Sequence, residues 1–165
     1  MIQMRELISS DTNVWLDFEA VSRIDFPFRL PVKYIMYNEA LLEEIREPKW
    51  LLSDLKKRGL EAVDLSEEEF FYAGEIAEKY RKLSKYDRTA LAIAKHRKIT
   101  LLTGDNNLRK AAKAEGVIVI GTIGLMDRLL AERCISKDEY RKCLNDMKKH
   151  PERRLPVDEI EERIR

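Results

Sequence analysis

Two short runs of the chain carry no charged residue and are dominated by Ile, Leu and Val. Residues 99–103 read ITLLT and residues 117–120 read VIVI. A strand with one solvated face alternates apolar and polar residues, whereas a strand buried on both faces is apolar along its length. The two runs therefore predict strands of a parallel sheet that helices cover on both faces.

The rest of the chain alternates between strand and helix patterns. Further strands are predicted over residues 6–10, 32–37 and 60–65, the last at a sheet edge. Capping signals predict the helix ends, with Asn38 as an N-cap, Gly59 as a C-cap and Pro156 as a first helical residue. The predicted fold is a doubly wound α/β sandwich of three layers around a mostly parallel sheet, with additional C-terminal helices. Capping boxes are predicted at Ser66–Glu69 and Ser136–Glu139.

The length of 165 residues favours one domain, with a main unit over residues 1–133 and a helical extension of it over 134–165. The longest apolar stretch, residues 116–126, is shorter than the roughly 20 residues of a membrane helix. The first residues lack the features of a signal peptide. Cys134 and Cys143 form neither a disulfide framework nor a zinc motif. A cytoplasmic protein that does not enter a membrane is expected.

Charge is distributed unevenly, although the net formal charge is +1. Residues 1–78 hold 9 basic and 17 acidic side chains, residues 79–113 hold 11 and 2, and residues 114–165 hold 11 of each. A basic segment of this kind predicts a phosphate-binding surface, with solvated lysine-rich helix faces as the alternative.

Acidic residues follow the predicted strands or lie in the helices after them. Asp11 follows the first strand, Asp105 follows ITLLT, Asp87 begins a helix, and Glu43 and Glu44 lie in the helix after residues 32–37. Because ligands gather at the carboxyl ends of parallel strands, these carboxylates are expected at one edge of the sheet. Clustered carboxylates repel one another unless a cation neutralises them, and hard divalent cations prefer oxygen ligands. The pattern predicts metal-assisted phosphodiester chemistry.

Each acid also has a structural interpretation. Asp11 and Asp105 are suitable helix N-caps, and Asp87 is the third residue after Ser84 in an S-x-x-D cap. Glu43 and Glu44 are equally suited to an exposed helix face. These interpretations do not exclude catalysis, because a capping carboxylate can still face a metal.

Residues 8–130 resemble the PIN-domain family of metal-dependent ribonucleases, and in particular the toxins of VapC-type toxin–antitoxin pairs. The resemblance lies in ISSDTNVWLDF (8–18), YNEALLEEI (37–45) and the long stretch 84–126. That stretch holds an Asp followed by an Ala-rich helix, an apolar strand ending in T-x-D, a basic helix and a strand leading into Gly-Thr.

The resemblance implies a ribonuclease that depends on Mg²⁺ or Mn²⁺ and cuts single-stranded or structured RNA. It assigns the catalytic and metal-binding acids to Asp11, Glu44, Asp87 and Asp105, with Glu43 as the alternative to Glu44. It also implies an antitoxin partner and a homodimer. Thr103 and Asn13 are expected to assist by hydrogen bonding. The candidates for RNA phosphate contacts are Lys85, Arg88, Arg109 and Lys110.

Other functions fit the sequence less well. A non-catalytic PIN-like module that binds RNA or protein is the main alternative. A receiver domain is disfavoured because the strand VIVI ends at Gly121-Thr122 without a lysine, and neither nucleotide-binding glycine motif occurs. His96 and His150 have no nucleophile nearby in sequence and are predicted to be non-catalytic.

Overall fold

The computed structural model describes residues 5–165, so the prediction that no signal peptide opens the chain lies partly outside the described residues. Neighbouring strands of the sheet are all parallel, in the order β3-β2-β1-β4-β5. This confirms the α/β sandwich, with a wholly parallel sheet in the described part of the chain. The strands are β1 (Glu6–Ser10), β2 (Val32–Tyr37), β3 (Glu61–Val63), β4 (Thr100–Leu102) and β5 (Val119–Ile120).

Helices cover the two faces of this sheet, and short 3₁₀ turns lie at Pro27–Arg29 and Pro151–Arg153. Within residues 5–165 the α-helices are α1 (Thr12–Ala20), α2 (Asn38–Glu44), α3 (Leu51–Arg58), α4 (Glu67–Lys79), α5 (Lys85–Arg97), α6 (Asn106–Ala114), α7 (Thr122–Ala131), α8 (Lys137–Lys148) and α9 (Val157–Ile164).

The core consists of two clusters of buried side chains. The larger includes Leu102 and side chains of α1, α2, α3, α7 and α8. The smaller includes Leu101 and side chains of α4, α5 and α6. Because successive residues of a strand point to opposite faces, Leu101 and Leu102 each fill one cluster. Ser9 is completely buried, and its hydroxyl donates to the carbonyl of Ala90 in α5.

Local capping chemistry sets most helix ends. The capping boxes at Ser66–Glu69 and Ser136–Glu139 are present, and Gly59 is the C-cap of α3 at a φ of 120°. Two assignments were wrong. Asn38 is the first residue of α2 and follows an uncapped Tyr37, because the helix continues directly from β2. Pro156 is the N-cap that precedes α9.

The prediction that VIVI is a fully buried strand was also wrong. Only Val119 and Ile120 pair with β4, and they form the outermost strand of the sheet. Ile118 is 74% exposed, since an edge strand has a neighbour on one side only.

The C-terminal helices share the larger core cluster through Cys143, Leu144, Met147 and Ile160. A polar link joins them to α1, where Asp17 accepts hydrogen bonds from Arg153 and Thr122 at 2.8 and 2.7 Å. No helix in residues 5–165 is both long and apolar enough to cross a bilayer.

Candidate active site

The first and fourth predicted acids stand where two neighbouring strands end. Ser10 of β1 pairs with Leu102 of β4, so the chain leaves both strands at the same level of the sheet. The backbone N–H of Asp11 then donates to the carbonyl of Leu102 at 3.0 Å. Thr103, buried beside them, is the first residue after β4 and precedes Asp105 by two positions.

Asp11 is both a helix cap and a buried carboxylate. Its Oδ1 accepts from the backbone N–H groups of Asn13 and Val14, at 2.9 and 3.4 Å, which makes it the N-cap of α1. Its Oδ2 accepts from the hydroxyl of Thr103. Burial raises the pKa of Asp11 to about 7; the Thr103 hydrogen bond opposes this rise, and the charge of Asp87 adds to it.

Glu44 ends α2 at the rim of the same region. Its Oε1 accepts from the hydroxyl of Thr12 at 2.8 Å, across 32 positions of sequence. Partial burial raises the pKa of Glu44, with a further rise from the charge of Asp87. Both Glu43 and Glu44 keep an exposed surface, but Glu43 forms an ion pair with Arg46 at 2.7 Å. The helix phase therefore brings Glu44, rather than Glu43, to the N-terminus of α1.

Asp87 lies in the first turn of α5 and completes a capping box. Its backbone N–H donates to Ser84 Oγ at 3.1 Å, and its Oδ2 accepts from the Ser84 backbone N–H at 3.0 Å. Burial raises the pKa of Asp87, the bonds to Ser84 oppose the rise, and the charge of Asp105 adds to it.

Asp105 is the N-cap of α6, where its Oδ1 accepts from the Leu108 N–H at 2.9 Å. Its own N–H donates to Thr103 Oγ1 at 3.1 Å. Thr103 therefore connects the two strand-end acids, because the same hydroxyl donates to Asp11. The capping interpretation holds for Asp11, Asp87 and Asp105.

A narrow cleft with a cavity volume of about 20 Å³, open to solvent on one side, lies beside these residues. Its walls include Asp11, Glu44 and Asp87, from three different elements. Asp105 and Glu43 are not among its lining residues. The fold thus brings three of the four predicted acids to one cavity and places the fourth at its side, within electrostatic reach of Asp87.

A family model described as DUF3368, a PIN domain, matches residues 7–165. The chain belongs to the PIN-domain family. PIN domains are generally nucleases and typically use divalent metals. No curated protein sequence and no solved structure matches the chain. The matched range includes the C-terminal helices α8 and α9.

The chemical type of the cleft acids suits a divalent cation. All three offer carboxylate oxygens, and within residues 5–165 none of them forms an ion pair with a Lys or Arg side chain. Burial, and after it the charge of a neighbouring carboxylate, raises all three pKa values, and a bound cation would oppose that rise. Hard divalent cations prefer such ligands.

The side-chain positions do not form a complete ligand set. In the described part of the PIN domain, no three His, Cys, Asp or Glu side chains lie close enough together to hold a metal ion. Each carboxylate is drawn toward its own helix by a capping bond or, for Glu44, toward Thr12. The residues therefore fit a divalent metal in donor chemistry, and their roles as ligands stay predictions.

The four predicted phosphate contacts stand in different environments. Lys85 pairs with Glu39 at 3.3 Å, and the guanidinium of Arg109 lies against Gly121, where any added Cβ would clash with it. Arg88 is half-buried, and its Nε is buried without a hydrogen-bond partner among the described residues. Lys110 is exposed. Of the four, Lys85 alone has a side-chain hydrogen bond or ion pair among the described residues.

Sequence reasoning missed Thr12, although the D-T-N motif that carries Asp11 contains it. It also missed Tyr37 and Tyr86, which line the cleft. The sequence contained a signal for both tyrosines, because Tyr37 ends β2 and Tyr86 directly precedes Asp87. His96 stacks edge-on against Tyr72, and His150 contacts Glu152 at 2.9 Å, so each has a structural contact.

Proposed function

We propose that this PIN domain is an endoribonuclease that depends on Mg²⁺ or Mn²⁺. The observation that carries the proposal is the cleft lined by Asp11, Glu44 and Asp87, each with a raised pKa and none in an ion pair within residues 5–165. RNA is the proposed substrate because residues 84–126 resemble VapC-type ribonucleases.

The proposed metal ligands are Asp11, Glu44 and Asp87, with Asp105 beside them. A divalent cation held by these residues would supply Lewis-acid chemistry at the phosphate and would make a nearby water more acidic. Glu44 Oε2 and Asp87 Oδ1 accept no hydrogen bond from the described residues, so they are free to act as ligands. Thr12, Thr103 and Ser84 hold the three carboxylates in place through the bonds described above.

The backbone adds positive potential around the cleft. Three helices, α1, α5 and α6, begin at or next to Asp11, Asp87 and Asp105. Helix N-termini carry partial positive charge and stabilise nearby anions. They therefore favour both the ionised carboxylates and a phosphate group. Arg88 and Lys110 are the proposed phosphate contacts at this edge.

The test is cleavage of a labelled RNA by wild type and by Asp11→Asn, each with Mn²⁺ and with EDTA. Asn retains capping ability but is a weaker metal ligand, so the variant also controls for contaminating nuclease. We expect metal-dependent cleavage that falls at least about 100-fold in the variant, the usual size of a lost electrostatic contact to the reacting group.

Equal cleavage by both proteins, or none by either across several RNAs, would contradict the proposal. It would favour the non-catalytic RNA- or protein-binding module instead.

A further inference from the structure

A polar cluster at the mouth of the cleft serves no function in the proposal above. Its members are Tyr37 at the end of β2, Glu39 in α2, and Lys85 and Tyr86 in the first turn of α5. Glu39 is its centre. The hydroxyl of Tyr37 donates to Glu39 Oε2 at 2.7 Å, and Lys85 Nζ donates to Oε1 at 3.3 Å. The cluster thus connects α2 to α5, the two helices that carry Glu44 and Asp87.

The two tyrosine rings have one packed side and one open side. Both pack against the larger core cluster, and both line the acidic cleft. The hydrogen bond to Glu39 raises the pKa of Tyr37 to about 12, so its ring stays neutral at physiological pH. Lys85 Nζ lies 5.5 Å from the centroid of the Tyr86 ring, which places a cation above that ring.

A comparison with Tyr34 shows what a purely structural tyrosine looks like in this fold. Tyr34, on the same strand as Tyr37, is completely buried and donates to the carbonyl of Pro27 at 2.7 Å. Its ring packs edge-on against Trp15 and Phe28. Tyr37 and Tyr86 are only half-buried, and both line the same cleft as Asp11, Glu44 and Asp87.

We propose that Tyr37 and Tyr86 form a tyrosine wall that stacks an unpaired nucleobase next to the phosphate bound at the acidic cleft. This inference rests on the proposed nuclease function and adds the substrate class, RNA with an unpaired nucleotide at the cut site. A base in a duplex is already stacked on both sides and paired at its edge, so only an unpaired base can present a face to the wall. Glu39 is a positioning residue for Tyr37.

The experiment measures RNA binding on the Asp11→Asn background in EDTA, where cleavage is absent and one repelling charge is removed. The probe is a short single-stranded RNA with one 2-aminopurine, whose fluorescence falls when the base stacks, and the matched duplex is the control. We expect Tyr86→Leu to weaken single-strand binding about tenfold and Tyr86→Phe to stay within about twofold of its parent, since Phe keeps the π-face. Duplex binding should change in neither variant.

An RNA with a single abasic position, moved along the strand, gives a second readout that needs no change in the wall. One position should weaken binding by the parent protein and have no effect on Tyr86→Leu. Glu39→Gln should reduce the quenching of 2-aminopurine at that position, a change that a merely structural role for Glu39 would not produce.

Equal affinity of the Leu and Phe variants, indifference to abasic position, or no RNA binding by the parent would each overturn the inference. If wild type cleaves RNA while the wall variants bind normally, the nuclease function stands and the wall does not. Stacking without cleavage by wild type would support the wall and contradict the nuclease.

Discussion

Two buried regions of this PIN domain treat carboxylates in opposite ways. At the C-terminus of α6, the side chain of Glu115 is only 8% exposed, and four donors surround it. Tyr72 and Lys95 donate to Oε1 at 2.7 and 2.9 Å, and Tyr80 and Lys79 donate to Oε2 at 2.6 and 2.9 Å. These hydrogen bonds hold the pKa of Glu115 well below its usual range.

At the cleft the pKa values of the acids are shifted in the opposite direction, upward. Asp11 is buried to a similar extent, but its side chain receives only a hydroxyl and two backbone N–H groups, and burial raises its pKa to about 7. Glu44 and Asp87 shift in the same direction. The fold pairs the structural acid with two lysines, whereas the cleft acids form no ion pair among the described residues, and the nearby charge of Arg88 opposes the rise in the pKa of Asp87 without reversing it. This arrangement is expected where a metal ion completes the charge balance.

The largest expected difference between the two regions is in catalysis. Asp87→Asn should lower RNA cleavage at least about 100-fold, because Asn keeps the cap on Ser84 but is a weaker metal ligand. Glu115→Gln should leave cleavage by the folded enzyme within about twofold, since Glu115 does not line the cleft. The measurement is kcat/KM on one labelled RNA at 25 °C. Comparable losses in both variants would remove the distinction.

For folding stability, we expect a loss from the substitution of Glu115 and none from the substitution of Asp11 in the cleft. Glu115→Gln should lower the free energy of unfolding by about 2 kcal/mol, because it removes charge-assisted bonds and leaves Lys79 and Lys95 without their acid. Asp11→Asn without metal at pH 7.5 should not lower stability and is expected to raise it, since Asn caps as well as Asp and removes a charge that burial disfavours. Urea unfolding followed by circular dichroism compares the two variants. A larger loss for Asp11→Asn would mean that this carboxylate is primarily structural.

Stability should also depend on pH in opposite ways. Asp11 has a higher pKa in the folded chain than in the unfolded chain, so between about pH 4 and pH 7 the folded state binds the extra proton. In EDTA, stability should therefore fall as pH rises from 5 to 7, by at most about 1.4 kcal/mol per pH unit for this group. Asp11→Asn should flatten that slope, as should Mn²⁺ in the wild type. For Glu115, with its lowered pKa, the sign is opposite: its contribution is lost only in acid.

The same pH series on Glu115→Gln is the matched control. Its slope between pH 5 and 7 should equal that of wild type, because this carboxylate stays ionised throughout the range. Parallel slopes in wild type and Asp11→Asn would contradict the assignment of the proton to Asp11.

The smallest effect concerns the basic segment. Lys110→Ala should weaken RNA binding about two- to threefold at low salt and reduce the slope of log K against log salt by about 1, because an exposed lysine contributes a single phosphate contact. Lys137→Ala is the control. Lys137 begins α8 after α7 has led the chain away from the carboxyl edge of the sheet, so its removal should change neither quantity. Equal effects of the two variants would assign the affinity to overall charge.

The sequence predicted the elements well where their signals are local. Each capping box at Ser66, Ser84 and Ser136 joins residues three apart, and all three are present. The placement of acids at one edge followed from strand ends and parallel pairing. The family resemblance favoured Glu44 over Glu43, but the contact of Glu44 with Thr12 lies across a helix interface that no local pattern encodes.

Contacts between residues that are distant in sequence also limited what the sequence could predict about charge and burial. Residues 79–113 form a basic segment, but Lys79 and Lys95 are bound to Glu115 and Arg97 to Glu69. Part of that charge is therefore structural, which a count along the chain does not reveal. Ile118 was misjudged for a related reason, since an apolar run does not indicate whether its strand is central or outermost.

The central claim is that the carboxylates of the cleft bind a divalent metal ion. Titration calorimetry of Mn²⁺ into the metal-free protein at pH 7.5 tests it most directly. Wild type and Glu115→Gln should bind Mn²⁺ saturably and with equal affinity, and Asp11→Asn and Asp87→Asn should lose most of that binding. No binding by wild type, or equal binding by wild type and both cleft variants, would contradict the account.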